Sequence, residues 1–341
     1  MTQTLKKIGF ACKLSELDPK KGIISIPEYN TGSTTVSWLN RQTREVAEQK
    51  LWDLMAGNIE AVRKLVEKVG GLDEHLRMVR LGSDILPVYT HADWNYFWRR
   101  TDVIRYCEQH FSEVGRIARE ANVRLSFHPG QFTVLASDNP GIVERSIEEF
   151  EYHADMARWM GYGCRFQDYK INVHISGRQG PEGIRRAYKR LSPEARNCIT
   201  IENEENAWGL DDCLTISDIV PIVLDCHHHW IREGEYISST DDRVKRVVDS
   251  WRGVRPTMHY SISREDVLID HNPLVAPDHS LLLEQGYKKQ KLRAHSNFMW
   301  NTEVNEWALG FLNTHDIMVE AKAKNLASFA LAEQAKSLTL L

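Results

Sequence analysis

The sequence predicts an α/β fold, a (β/α)8 TIM barrel with a metal cluster at its C-terminal mouth. Short apolar runs alternate with long amphipathic segments, and this alternation repeats eight times within 341 residues. Such alternation predicts a parallel sheet covered by helices. Eight units favour a closed barrel over an open sheet, and no nucleotide-cradling glycine motif follows a strand. We therefore expect one barrel domain over residues 1–341, with no linker or repeat.

Short apolar runs identify the predicted strands, and apolar residues at three- or four-residue spacing identify the predicted helices. The clearest helix covers residues 45–69, where apolar residues recur every three or four positions, and it ends at Gly70-Gly71. A polar stretch separates it from the first strand. The predicted strands cover 8–12, 78–82, 123–127, 169–173, 198–201, 221–224, 256–258 and 317–319. The other predicted helices cover 102–121, 140–160, 183–191, 241–252, 303–313 and a C-terminal segment.

Composition excludes some classes of protein. The formal net charge of −4 lacks the bulk basic footprint of a nucleic-acid-binding protein, so any such site must be a local basic patch. The six cysteines form no CxxC pair and are expected to be reduced thiols. No stretch approaches the roughly 18 apolar residues of a membrane span, so no membrane contact is expected.

Six consecutive predicted strands end in a residue able to bind a metal ion. In a barrel, these side chains point into one mouth. One such residue is usually an ordinary polar side chain, but six in series are not explained that way. Crowded carboxylates repel one another, and cations relieve that repulsion. The six residues are His128, His174, Glu202, Asp225, His259 and Glu320.

This mixture of ligands indicates the metals and the chemistry. Imidazole with carboxylate suits manganese, zinc or iron better than magnesium or calcium alone. More than four ligands predict two or three ions that share a bridging carboxylate. Such clusters polarise a phosphate, generate hydroxide and stabilise a leaving oxygen.

Several motifs together resemble the UV damage endonucleases, in family order over residues 8 to 324. Each motif alone is weak, but the set is specific. The motifs are Arg80-Leu81-Gly82-Ser83-Asp84-Ile85-Leu86-Pro87 with His91 beyond it, His128-Pro129-Gly130-Gln131-Phe132, Asn172-Val173-His174, Ile201-Glu202-Asn203-Glu204, Leu224-Asp225-Cys226-His227-His228 and Met318-Val319-Glu320-Ala321-Lys322.

The resemblance implies an activity and its partners. It implies a barrel related to apurinic-site endonucleases and sugar isomerases, which nicks double-stranded DNA immediately 5′ to a UV photoproduct and leaves a 3′-hydroxyl. It implies two to three divalent ions, with Mn²⁺ favoured and Zn²⁺, Mg²⁺ or Co²⁺ as alternatives. No obligate protein partner is expected. The expected location is cytoplasmic for a bacterial protein and nuclear for a eukaryotic one.

The resemblance also assigns residues. Glu202 would be the bridging ligand at the centre, and Glu202, His91 and Lys322 the catalytic residues. The Asp-x-x-His spacing favours His228 over its neighbours in the run His227, His228, His229. The implied metal ligands are His128, His174, Glu202, Asp225, His228, His259, His295 and Glu320.

The pair Gln131-Phe132 resembles the damage probe of the family. A planar apolar side chain can wedge into a stack that a lesion has weakened, while an amide replaces lost base contacts. The alternative is that Phe132 packs beneath its own loop. Phe10, on the first strand, is expected to line the same pocket.

Two segments are candidates for DNA contact. The first, after the seventh strand, carries Lys288, Lys289, Lys291 and Arg293, whose charges would neutralise phosphates. The alternative is that this basic segment is an ordinary solvated loop. The second, residues 94–100, mixes aromatic and cationic side chains. The alternative is that these side chains belong to the core beneath the following helix.

The chain departs from the family at one position. The family commonly has a lysine, which can be carboxylated, two residues before the histidine of the seventh strand, and Thr257 stands there. Three consequences are open for the metal site: a water molecule takes the place of the lysine ligand, the third ion binds more weakly, or the lesion preference differs. The alternative is that Thr257 is an ordinary strand residue.

Two other functions stay open: a sugar isomerase or epimerase on the same barrel, and a damage-binding protein with impaired catalysis.

Overall fold

The computed structural model describes residues 5–341, so the first four residues of the predicted 1–341 domain lie outside it. Eight parallel strands form one sheet: β1 (Ile8–Ala11), β4 (Met78–Arg80), β5 (Arg124–Phe127), β6 (Lys170–His174), β7 (Ile199–Glu202), β8 (Ile222–Val223), β9 (Thr257–Tyr260) and β10 (Asp316–Val319). Their order across the sheet is β8-β7-β6-β5-β4-β1-β10-β9.

The sheet curls until its two edge strands meet. Asp225, just beyond β8, forms a parallel bridge with His259 on β9, and the His259 backbone N–H donates to the Leu224 carbonyl at 3.0 Å. The predicted α/β barrel is therefore confirmed. Its closing contact lies at the C-terminal ends of the strands, where the predicted ligands are.

Helices cover the outside of the barrel and bury their apolar faces against the strands. The predicted helix 45–69 is α2 (Arg44–Gly70), and the Thr43 side chain accepts from the Val46 backbone N–H to cap it. The other helices are α1 (Val36–Leu39), α3 (Asn95–Trp98), α4 (Thr101–Glu120), α5 (Pro140–Trp159), α6 (Gly180–Tyr188), α7 (Pro193–Cys198), α8 (Leu210–Leu214), α9 (Cys226–Glu233), α10 (Asp242–Ser250), α11 (His279–Glu284), α12 (Lys289–Leu292), α13 (Thr302–Leu309) and α14 (Asn325–Ser337). No helix within residues 5–341 is long and apolar enough to cross a membrane.

The polar stretch after the first strand contains a hairpin that the apolar pattern did not predict. Strands β2 (Ser15–Asp18) and β3 (Gly22–Ser25) pair antiparallel and form a separate two-stranded sheet. Asn325 anchors it, because its side chain accepts from the Ser15 backbone N–H at 2.7 Å. The hairpin is mostly solvent-exposed, so burial imposes little apolar alternation on its sequence.

A buried ionic group closes the opposite, N-terminal end of the barrel. The Asp316 carboxylate, at the start of β10, accepts from Arg124 Nη1 at 2.6 Å and from Arg255 Nε at 2.7 Å. It also accepts from the Lys7 backbone N–H at 2.9 Å. One carboxylate thus ties β5, β10, the segment before β9 and the segment before β1 together.

We expect Asp316→Asn to lower the free energy of unfolding by about 2–4 kcal/mol, because two largely buried guanidinium groups lose their counter-charge. Urea denaturation measures this change. The matched control is Asp102→Asn, which breaks an exposed pair with Arg100 and should cost less than about 1 kcal/mol. Equal losses in the two variants would contradict a structural role for the buried group.

Candidate metal centre

The barrel brings the six predicted strand-end residues into one cluster. Residues on neighbouring parallel strands lie side by side, as His174 does with Glu202 in the β6–β7 register. Glu202, Asp225 and His259 are fully buried, and His128, His174 and Glu320 are partly exposed toward the mouth. The cluster therefore forms the floor of the mouth.

Glu202 lies at the centre of this cluster. Its Oε2 is 3.1 Å from His259 Nδ1, 3.2 Å from His128 Nε2 and 3.5 Å from His174 Nε2. Its Oε1 is 3.6 Å from His228 Nδ1. One carboxylate therefore faces four imidazoles, which is the arrangement expected of a shared ligand.

Hydrogen bonds behind the cluster hold Glu202 in place. The Asn172 side-chain amide donates to Glu202 Oε2. The Thr200 hydroxyl in turn donates to Asn172 Oδ1 at 2.8 Å. All three residues are buried, so the orientation of the carboxylate is fixed by partners that have little freedom to move.

Backbone carbonyls fix two of the imidazoles. His128 Nδ1 lies 3.0 Å from the Pro129 carbonyl oxygen, and His228 Nδ1 lies 3.0 Å from the Asn203 carbonyl oxygen. Because a carbonyl only accepts, each Nδ1 carries a hydrogen, which leaves Nε2 as the ring nitrogen able to bind a metal ion. Metal-binding histidines are usually oriented in this way.

The charges of the cluster are strongly interdependent. Burial alone would raise the pKa of Glu202, but His259, His174 and His128 lower it well below its usual range. Burial, opposed by His228 and reinforced by Glu202 and Glu320, raises the pKa of Asp225 well above its usual range. Asp225 is therefore the carboxyl group of the cluster whose negative charge the surrounding side chains balance least.

Buried atoms without partners show that the residues fit divalent ions. Within residues 5–341, Glu202 Oε1, Asp225 Oδ2 and His259 Nδ1 are buried and make no hydrogen bond. Buried polar atoms usually have partners, and an ion would supply one. Among the residues that the structure describes, three groups of side chains are compact enough to hold an ion: His128, His174 and Glu202; Glu202, Asp225 and His228; and Asp225, His259 and Glu320.

The remaining predicted ligands lie at the edge of the cluster. His295 Nδ1 is 4.0 Å from Glu320 Oε2, and a bridge to Ser263 holds its backbone. Of the three consecutive histidines, only His228 faces the cluster. His227 Nε2 lies 3.1 Å from the Leu292 carbonyl, and His229 Nε2 lies 2.9 Å from Glu235.

Two basic side chains in the mouth were given no role by the sequence reasoning. Arg80, at the end of β4, pairs with Glu320. Lys170 Nζ lies 2.8 Å from His259 Nε2, and burial lowers its pKa to about 7. The signal for Lys170 was available, because positions 170, 172 and 174 alternate inward along one strand.

Thr257 occupies the position where the family commonly has a lysine, and it is buried. The lysine that lies beside His259 in this chain is Lys170 of β6.

The predicted probe and Phe10 have opposite environments. Phe132 is 85% exposed, so the alternative that it packs beneath its loop is wrong. Gln131 is also exposed, and a turn in which the Thr133 N–H donates to the Gly130 carbonyl shapes the loop.

The prediction that Phe10 lines the same pocket is wrong: its ring is fully buried and packs edge-on against Phe329 of α14. It faces the covering helix, not the mouth.

The two other predicted catalytic residues lie away from the centre of the cluster. His91 is exposed and its Nδ1 accepts from the Asp93 backbone N–H at 3.2 Å. Lys322 has an exposed side chain, and its backbone N–H donates to the Ser296 carbonyl at 2.9 Å. Their catalytic roles stay predictions.

The basic segment lies on the mouth side and is exposed. Lys288, Lys289, Lys291 and Arg293 all have exposed side chains. Lys289 Nζ donates to the Arg232 carbonyl at 3.1 Å. The segment 94–100 is different, because Trp94, Phe97 and Trp98 are buried and form core at the start of α4.

The fold and the cluster define a class: barrels whose mouth carries imidazoles and carboxylates able to bind divalent ions. Within that class, the profile of the UV-endonuclease UvdE family matches residues 6–340, and the chain belongs to that family.

Curated relatives agree with this family assignment. The UV-damage endonuclease of Schizosaccharomyces pombe is 26% identical over 341 residues, which cover 96% of this chain and 50% of that protein. The UV DNA damage endonuclease of Bacillus velezensis is 25% identical, covering 88% of this chain and 87% of that protein. The chain thus spans about half the length of the S. pombe relative.

Two solved structures share the fold. The crystal structure of SacUVDE matches with a TM-score of 0.72 and 22% identity, covering 98% of this chain and 100% of that one. Endonuclease IV from Thermus thermophilus matches with a TM-score of 0.51 and 11% identity, covering 81% of this chain and 94% of that one.

We expect Glu202→Gln to bind fewer Mn²⁺ ions per chain and to weaken the remaining sites at least about tenfold. The amide keeps the shape and an acceptor for Asn172 but removes the charge that several sites share. Metal analysis after equilibrium dialysis measures the number bound. Glu120→Gln, at an exposed pair with Arg116, is the control. An unchanged number in Glu202→Gln would refute the shared-ligand interpretation.

Proposed function

We propose that this chain is a metal-dependent DNA repair endonuclease that nicks immediately 5′ to UV photoproducts and leaves a 3′-hydroxyl. One observation carries the proposal: a single loop begins at His128, in the ligand cluster, and four residues later exposes Phe132 to solvent. A group able to enter a base stack is thus tethered directly to the metal centre.

Divalent ions bound by this cluster would polarise a phosphate, generate hydroxide and stabilise the leaving oxygen. Manganese is favoured, because imidazole and carboxylate ligands are mixed, with Zn²⁺, Mg²⁺ or Co²⁺ as alternatives. Among the chain's own residues, Glu202 is the shared ligand, and Asn172 and Thr200 hold its orientation. The backbone carbonyls of Pro129 and Asn203 hold His128 and His228.

The substrate is proposed to be double-stranded DNA that carries a UV lesion. Phe132 would enter a stack that the lesion has weakened, and Gln131 would replace lost base contacts. The exposed cations Lys288, Lys289 and Lys291 would neutralise phosphates, which makes binding salt-dependent. The relatives' descriptions as UV-damage endonucleases support this substrate.

The proposal predicts Mn²⁺-dependent conversion of UV-irradiated supercoiled plasmid to open circles, with intact plasmid left uncut. A labelled duplex with one defined pyrimidine dimer maps the cut, and extension by a DNA polymerase tests for the 3′-hydroxyl. Lesion binding without scission in excess Mn²⁺ would instead support a damage-binding protein. Absence of both binding and nicking would overturn the proposal and favour sugar chemistry.

We expect Phe132→Ala to reduce the preference for damaged over intact duplex by about five- to 150-fold, because stacking contributes about 1–3 kcal/mol per base. Competition binding with the two duplexes measures the preference. Leu338→Ala, an exposed apolar residue at the C-terminus of α14, is the control. Equal weakening on both duplexes would mean that Phe132 does not read the lesion.

A further inference from the structure

Three neighbouring loops interlock beside the pair Gln131-Phe132, and no prediction from the sequence gave this contact a role. The loops follow β5, β6 and β7, which are neighbours in the sheet. The same three strands lead into the candidate ligands His128, His174 and Glu202. The interlock therefore joins the loop that carries the exposed aromatic side chain to two other loops that begin in the metal cluster.

The loop after β5 is held on both sides of its exposed tip. On one side, the His128 carbonyl accepts from the Ser83 hydroxyl at 2.8 Å. On the other side, the Val134 backbone N–H donates to Ser146 Oγ of α5 at 2.8 Å. Ala136, two residues further on, is fully buried. Because both ends of the tip have fixed partners, the position of the tip depends on what contacts these ends.

The loop after β6 packs on Ala136 with no space to spare. The Gln179 backbone N–H donates to the Ala136 carbonyl at 2.9 Å. Gly177 has a φ of +105°, and a Cβ at this position would overlap the Ala136 backbone. A Cβ at Gly183 of α6 would lie 2.6 Å from Ala136 Cβ. Glycine at both positions is what lets the two loops approach this closely.

The loop after β7 completes the interlock through Trp208. Its indole Nε1–H donates to the Gly177 carbonyl at 2.8 Å, and a Cβ at Gly180 would lie 2.5 Å from the indole ring. The Trp208 carbonyl accepts from the backbone N–H of Glu204 at 3.0 Å, two residues beyond Glu202. These contacts form a loop brace, which consists of Ala136, Gly177, Gln179, Gly183 and Trp208.

We propose that the loop brace fixes the position of Phe132 relative to the metal centre, and that Gly183 and Trp208 are positioning residues for nicking. Phe132 would enter the stack at the lesion while the cluster holds the phosphate that is cut. The separation of the two then decides how well that phosphate is placed, and a misplacement of about 1 Å can cost about a hundredfold in rate. The inference rests on the proposed function.

Gly183→Ala tests the brace by pushing on Ala136. We expect the single-turnover rate of nicking on a duplex with one defined pyrimidine dimer to fall about ten- to 100-fold. The number of Mn²⁺ ions bound and the affinity for intact duplex should stay unchanged, because no ligand and no cation is altered. Gly57→Ala is the matched control, since a Cβ at this position of α2 meets nothing within 4 Å.

Trp208→Phe tests the same brace more gently, because it keeps an aromatic ring and removes only the donor to Gly177. Loss of one hydrogen bond should lower the single-turnover nicking rate about three- to tenfold, with Mn²⁺ binding again unchanged. Trp307→Phe is the matched control, because the Trp307 indole donates to the Ile237 carbonyl at the same 2.8 Å outside the three loops. That variant should nick like the unsubstituted chain.

Two results would overturn the inference: Gly183→Ala nicking at the rate of the unsubstituted chain, or a loss of bound Mn²⁺ that matches the loss of rate. The second result would mean that the substitution acts by displacing ligands. If Gly183→Ala fails to fold, Trp208→Phe decides by the same two criteria. Failure of the unsubstituted chain to bind Mn²⁺ or to nick would instead reject the proposed function, and the positioning roles with it.

Discussion

The central constraint on this structure is the burial of the Glu202 carboxylate beside Asp225 and Glu320. Removing three like charges from water at one end of a barrel is unfavourable unless opposite charge or hydrogen bonds compensate. Four imidazoles surround Glu202, and the Asn172 amide donates a hydrogen bond to it. Arg80 forms an ion pair with Glu320. The orphaned oxygens of Glu202 and Asp225 mark where this compensation is incomplete, and therefore where divalent ions have most to stabilise.

Parallel strands make this compensation local. On β6, Lys170, Asn172 and His174 occupy alternate positions, so one strand delivers an ammonium, an amide and an imidazole at three depths of the barrel. The ammonium reaches His259 and the amide reaches Glu202. Strand β6 therefore supports ligands that belong to its neighbours as well as supplying its own. Loss of that strand's alternation would disturb the whole cluster, not one ligand.

The sequence was sufficient to predict the barrel and the six strand-end ligands, because parallel topology brings successive C-terminal ends together. It was insufficient wherever an outcome depended on which face of a buried strand a side chain takes. Phe10 illustrates this: both faces of β1 are buried, so its apolar pattern does not distinguish the helix side from the mouth. For Lys170, alternation with Asn172 and His174 along β6 was a readable signal that its side chain points inward. Its contact with His259 was not readable, because spacing along one strand does not say which residue of a distant strand a long side chain reaches.

The protein's own cations also determine where exchangeable ions are needed most. Arg80 lowers the pKa of Glu320 well below its usual range, against burial that would raise it, so that carboxylate is already balanced. Asp225 faces no guanidinium and only the His228 imidazole, and burial raises its pKa well above its usual range. The demand for positive charge is therefore concentrated between Asp225 and Glu202, at the closing contact of the barrel. Because the Asp225 bridge to His259 is also that closing contact, an ion held there would join the two edge strands as well as serving the chemistry.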